Sequence, residues 1–208
     1  MFRCVRSSCT AAILAGGQAR RLGQIDKSAL VFGDARLVDR QLAVLRQVAE
    51  HVLIVSNHPE RYATLDIDVV RDLVPGAGAL GGIYTAVATA PDAQTLVVAC
   101  DLPCLSVPFL RHLAAAGRAI DLAIPRTHDG YQPLCASYSR ACLEPIRRRL
   151  ETGALRAADL VNDVRVREIG PDEIATFDPS GMLFLNVNTP DDYARARAWL
   201  EQTNSSRT

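Results

Sequence analysis

Short apolar runs that stop at a polar residue or a glycine constrain this chain more than any other feature. Residues 11–15, 51–55, 67–70 and 96–100 are mainly Ala, Val, Ile and Leu, and they lead into Gly16-Gly17, Ser56-Asn57, Arg71-Asp72 and Asp101. Strands buried on both faces read as such runs, whereas strands with one wet face alternate. Between them lie segments of helical period: residues 37–50 carry apolar residues at 38, 42, 45 and 48–49, and helices are expected over 83–90 and 107–116. With a further short strand at 122–124, this alternation predicts an α/β fold, a mostly parallel central sheet with helices on both faces.

Beyond Pro125 the alternation weakens. His128-Asp129-Gly130 reads as a turn, 133–138 as an extended segment across the sheet, 141–151 and 154–161 as helices, 164–169 as an edge strand and 183–187 as a buried strand ending at Asn188. Thr189-Pro190-Asp191-Asp192 then reads as a helix start: an N-cap, a proline at the first helical position and two acids near the positive end of the dipole. The glycine-rich stretch VPGAGALGG at 74–82 reads as a loop. At 208 residues the chain suits one domain over 1–208, with 1–10 and 202–208 as tails.

The formal net charge is zero, which argues against broad attraction to nucleic acid or to a membrane surface. No apolar stretch reaches the roughly 18 residues of a membrane span. The apolar part of the N-terminal segment is too short for a signal peptide and runs into Arg20-Arg21, so a cytoplasmic location is expected. Six cysteines show no C-x-x-C spacing and read as free thiols, several buried. The histidines have no metal-ligand spacing, His128 in its loop is open to either a ligand contact or plain exposure, and no G-x-S-x-G elbow is present. Arg147-Arg148-Arg149 reads as a solvated helix face.

A parallel α/β sheet collects the carboxyl ends of its strands on one rim, where ligands bind. Gly16, Gly17, Asn57, Asp72, Asp101 and Asn188 would all stand there. The loop after Gly16-Gly17 fits neither the Walker A pattern nor G-x-G-x-x-G. It carries Arg20, Arg21 and Lys27, and of 23 basic residues all but Lys27 are arginine. A phosphate cradle and a plain turn with solvated arginines both remain open for it. Asp101, ending a buried strand, suits either Mg²⁺ or a cap on the following turn. Asp72 suits either a loop acid or a reader of guanine, whose N1–H and N2–H edge offers two parallel donors.

Taken together, LAGGQARRLGQIDK at 14–27, VVRD at 69–72, GALGG at 78–82, CDLP at 100–103 and FLNVNTPDD at 184–192 resemble the molybdenum cofactor guanylyltransferases. Leu22 stands where methionine is usual, and AGALGG replaces a more common GPLGG. The resemblance implies a three-layer Rossmann-like nucleotidyltransferase fold and transfer of GMP from GTP to the terminal phosphate of molybdenum-bearing molybdopterin, with release of pyrophosphate. It implies that Leu14, Ala15, Gly16 and Lys27 bind GTP, that Asn57 lies beside it, that Asp72 reads guanine and that Asp101 binds both GTP and Mg²⁺. Arg21 and Lys27 are then the expected cations on the departing pyrophosphate, with Gly17 and Asn188 on the same rim. A molybdoenzyme or a delivery chaperone is the expected recipient of the product. A CTP-using relative, an enzyme with another phosphorylated acceptor, and a non-catalytic GTP- or pterin-binding carrier are the competing readings.

Overall fold

The structure, a computed structural model, describes residues 9–16 and 29–205. Among them the strands are β1 (Thr10–Leu14), β2 (Val31–Phe32), β3 (Ala35–Arg36), β4 (His51–Val55), β5 (Asp68–Val70), β6 (Gln94–Ala99), β7 (Leu122–Thr127), β8 (Gly130–Tyr131), β9 (Cys135–Ser139) and β10 (Val166–Ile169). The α-helices are α1 (Leu37–Leu45), α2 (Gly78–Thr89), α3 (Val107–Gly117), α4 (Leu143–Thr152), α5 (Pro171–Ala175) and α6 (Pro190–Ser205).

The main sheet has the order β10-β7-β9-β6-β1-β4-β5, with β8 paired to β7. β1 pairs in parallel with both β4 and β6, and β4 with β5. β9 lies between β6 and β7 and is antiparallel to both. The segment expected to cross the sheet is therefore one of its strands. Successive side chains of the central strands enter opposite layers, as the period of two requires. Ala11 and Ile13 of β1 and Leu96 and Val98 of β6 join one core, together with Leu42 and Leu45 of α1 and Phe109 and Leu113 of α3. Ala12 and Val97 join the other, with Ile83 and Val87 of α2 and Ile146 of α4. Fully burying one such Leu, Ile or Phe side chain is worth about 1.5–3 kcal/mol. The result is the three-layer, mostly parallel Rossmann-like arrangement that the resemblance implied.

Four expectations are corrected. Residues 183–187 form no strand, because their amides are used elsewhere: Leu183 N–H donates to the Asp178 carboxylate at 2.7 Å, Leu185 N–H to Met182 O at 3.1 Å and Val187 N–H to Asp101 O at 3.0 Å. Helix α2 begins inside the glycine-rich stretch, at Gly78, whose φ of 62° suits glycine. Gly81 permits this start, since a Cβ there would lie 2.7 Å from the Val74 carbonyl oxygen. The segment expected as a helix at 154–161 is a 3₁₀ stretch, Ala157–Asn162. The tails are shorter than expected at both ends: Cys9 and Thr10 are buried, and α6 continues to Ser205.

The expected start of α6 does form. The Thr189 hydroxyl accepts from Asp192 N–H at 3.1 Å, while the Asp192 carboxylate accepts from the amides of Asn188 and Thr189. Burial raises the pKa of Asp192, but the Thr189 hydroxyl, which donates to the carboxylate at 2.8 Å, and the two amides outweigh it and hold the carboxyl below its ordinary value.

Candidate active site

The register places four strand ends on one level. Leu14 pairs with Val55 and with Ala99, and Val55 pairs with Val70. The residues just beyond these ends therefore emerge side by side. They border a cleft of about 640 Å³ lined by Leu14, Gly16, Ser56, Asn57, Asp72, Cys100 and Asp101, with Gly76 just before α2, Gly78, Ala79 and Gly82 from its opening, and Leu134 before β9. That volume lies within the range usual for small-molecule sites.

Three of the polar strand ends are tied to one another. Ala15 N–H continues the ladder to Val55 O at 2.9 Å, and Ser56 N–H reaches Val70 O at 2.9 Å. The Asn57 side-chain oxygen accepts from Asp72 N–H at 3.2 Å, so Asn57 fixes the loop after β5 as well as bordering the cleft. Leu14, Gly16, Asn57, Asp72 and Asp101 thus meet at one cleft. Ala15 is not among the cleft-lining residues. Asn188 does not line the cleft either, but the chain just before it is bonded to the Asp101 carbonyl. Gly17, Arg20, Arg21 and Lys27 lie outside the described residues.

Asp72 is half-buried, and its Oδ1 accepts from Val74 N–H at 3.0 Å and from the Thr85 hydroxyl at 2.8 Å. Thr85 is fully buried. Its oxygen also lies 3.0 Å from Gly81 O, and its single proton goes to the charged carboxylate, the stronger acceptor. The same oxygen accepts from Leu73 N–H at 2.9 Å. Both lone-pair sites of Asp72 Oδ1 are therefore used within the protein, which leaves Oδ2 as the atom for a ligand. Among the described residues no side chain caps α2, and no acidic residue occupies its first turn. The first amides of α2 accordingly offer donors and a partial positive charge beside the Asp72 acceptor.

Asp101 is half-buried at the end of β6. Its turn is held by Cys100 N–H donating to Leu14 O at 3.1 Å, by Val187 N–H on Asp101 O, and by Gln41 of α1, whose Nε2 donates to Ala99 O at 2.8 Å and Leu102 O at 3.0 Å. A carboxylate is a hard oxygen donor of the kind Mg²⁺ takes. Among the described residues no three His, Cys, Asp or Glu side chains are grouped to hold a metal. A single carboxylate is a donor set that Mg²⁺ accepts, because that ion keeps waters and substrate phosphates in the rest of its shell.

Thr85 and Gln41 escaped the sequence reading. Each had a local signal: a hydroxyl within an apolar helical stretch, and an amide on the apolar face that carries 38, 42 and 45. The buried thiols take no part in the cleft. Cys135 is pushed up to about 12 by burial, which keeps it a protonated core residue at neutral pH.

Residues 11–165 match the MobA-like NTP transferase domain. The chain belongs to that family. It is 35% identical over 198 residues to a probable molybdenum cofactor guanylyltransferase of Pelotomaculum thermopropionicum, covering 95% of this chain and 96% of that protein. A molybdenum cofactor guanylyltransferase of Desulfosudis oleivorans is 32% identical over 190 residues, covering 91% and 94%. The crystal structure of molybdopterin-guanine dinucleotide biosynthesis protein A from Archaeoglobus fulgidus superposes with a TM-score of 0.80 at 25% identity, covering 93% of this chain and 99% of that one. The family that the motifs resembled is thus the family to which the chain belongs, and it is one of nucleotidyltransferases.

Proposed function

We propose that this enzyme transfers GMP from GTP to the terminal phosphate of a molybdopterin-type acceptor, releasing pyrophosphate. The observation that carries the reading is the convergence of Asp72, Asp101 and the uncapped start of α2 on one cleft. An acceptor atom beside a row of amide donors complements a base edge that presents N–H donors next to a carbonyl, which is the guanine edge. The near full-length similarity to guanylyltransferases supports the same nucleotide.

In this reading Asp72 Oδ2 accepts from the guanine N–H edge, and the first amides of α2 meet the base carbonyl. The backbone at Gly16 lets phosphate oxygens approach closely. Lys27 and Arg21 neutralise the charge that develops on the leaving pyrophosphate. Asp101 is the residue that would hold Mg²⁺, which when bound supplies charge neutralisation at the nucleotide phosphates. The acceptor phosphate oxygen attacks the α-phosphorus in line, a new P–O–P bridge forms, and the bond to the β-phosphate oxygen breaks. An acceptor phosphate is already ionised at neutral pH, so this chain needs no general base.

The test is incubation with α-labelled GTP, CTP or ATP, Mg²⁺ and molybdopterin, following both labelled dinucleotide and pyrophosphate. Guanine dinucleotide with matching pyrophosphate is the expected result. Equal product from CTP would remove the base assignment, and tight GTP binding without pyrophosphate would make the protein a carrier.

A further inference from the structure

Gln41 is a polar residue in an apolar place. It lies on the face of α1 that buries Val38, Leu42 and Leu45, and is itself only 1% exposed. Its Nε2 donates to Ala99 O and Leu102 O, the two carbonyls that bracket Cys100-Asp101. Carbonyl oxygens only accept, so these partners identify the donor end of the amide. The other end, Oε1, is buried with no hydrogen-bond partner among the described residues. An unsatisfied buried oxygen lowers stability, but an apolar side chain of similar length would instead take the donor away from the Ala99 and Leu102 carbonyls. The amide is better explained by what it holds. One planar group engages both carbonyls and so sets the curvature of a turn on which it does not itself lie.

We infer that Gln41 is a positioning residue for Asp101: the two hydrogen bonds from its buried amide to the Ala99 and Leu102 carbonyls fix the turn that presents the Asp101 carboxylate to a metal–nucleotide complex. The inference rests on the assignment of Asp101 as the metal-holding residue. Outer-shell groups of this kind act through geometry, and their loss typically costs about 10- to 100-fold in metal affinity or activity.

The experiment measures the affinity of full-length protein for a fluorescent GTP analogue, first in EDTA and then across a Mg²⁺ titration. It compares wild type, Gln41→Met, Asp101→Asn and the double variant. Thermal melting and circular dichroism establish that each is folded. Gln41→Met should leave metal-free affinity nearly unchanged and raise the Mg²⁺ concentration for half-maximal tightening about tenfold. In the Asp101→Asn background the same substitution should add nothing, since a positioning effect vanishes with the group positioned.

Unchanged Mg²⁺ dependence in Gln41→Met overturns the inference, as does an undiminished effect in the double variant. If Gln41→Met does not fold, Gln41→Glu serves in its place, keeping the shape but turning an acceptor toward the two carbonyls. A wild-type protein whose nucleotide affinity ignores Mg²⁺ overturns both this inference and the metal role of Asp101. Wild-type protein that shows the metal-dependent tightening, loses it in Gln41→Met and yet transfers nothing to molybdopterin supports the positioning role and overturns the acceptor assignment alone.

Discussion

Asp72 and Asp101 border the same cleft, yet the fold restrains them in different ways. Asp72 is gripped by its side chain, with Oδ1 bonded to an amide two residues away and to a hydroxyl thirteen residues away. The turn of Asp101 is gripped by its main chain, from a glutamine 58 residues from Ala99 and 61 from Leu102, and from the amide of Val187. A group that distinguishes bases needs a fixed direction, because hydrogen bonds weaken steeply as they bend. A group that holds Mg²⁺ needs above all to stand in the right place, because that ion demands near-ideal octahedral geometry around itself. Both restraints draw on tertiary structure: Thr85 of α2 reaches the first from 13 residues away, and Gln41 of α1 the second from 58 and 61 residues away.

The sharpest way to break the comparison is at Asp101. Asp101→Asn keeps size and turn but removes the charge, and turnover with GTP and Mg²⁺ should fall by about 10²- to 10³-fold, the scale seen when one preorganised charge-stabilising group is lost. Metal-free nucleotide affinity should stay near wild type. A variant with unchanged turnover would end the metal role, and one with lost metal-free affinity would make Asp101 a nucleotide contact first. Asp72→Asn comes next in size. Replacing a charged acceptor costs about 1.5–3 kcal/mol at a buried bond, or roughly 10- to 100-fold in kcat/KM for GTP. The loss should fall mainly on KM and should narrow the preference for GTP over ATP. Equal losses for all nucleotides would show that Asp72 shapes the loop without reading the base.

The rim was legible in the chain because its signals are local. Continuous apolar runs ending at Gly16, Asn57, Asp72 and Asp101 need only the strand period and the rule that parallel sheets bind at their carboxyl ends. What was not legible depends on partners distant in sequence. The run 183–187 has strand composition, yet its amides go to Asp178, Met182 and Asp101, and composition carries no record of that choice. The entry of β9 between β6 and β7 is likewise a matter of packing. The start of α2 at Gly78 was hidden because glycines argue for a loop, while here the close approach of Val74 O to Gly81 requires one inside the helix. The roles expected of Lys27, from the family motifs, and of Arg21, from its place in the loop, lie outside the described residues.

The smallest expected effect probes the Asp72 restraint from behind. Thr85→Val keeps the β-branched shape in a fully buried position but removes the hydroxyl. Asp72 Oδ1 then loses its 2.8 Å donor, and Leu73 N–H loses its 2.9 Å acceptor. Leaving such groups unpartnered costs about 1–3 kcal/mol of stability, visible as a lowered Tm. The carboxylate also gains rotational freedom, and KM for GTP should rise about three- to tenfold with kcat nearly unchanged, the share of binding that one neutral hydrogen bond controls. Thr85→Ser restores the hydroxyl while losing a methyl, so it should recover KM even though its Tm stays below wild type. That split separates restraint of Asp72 from general loosening of α2. If the serine variant matches the valine variant in KM, the hydroxyl is not what aims Asp72, and its side chain is held no more specifically than the turn of Asp101.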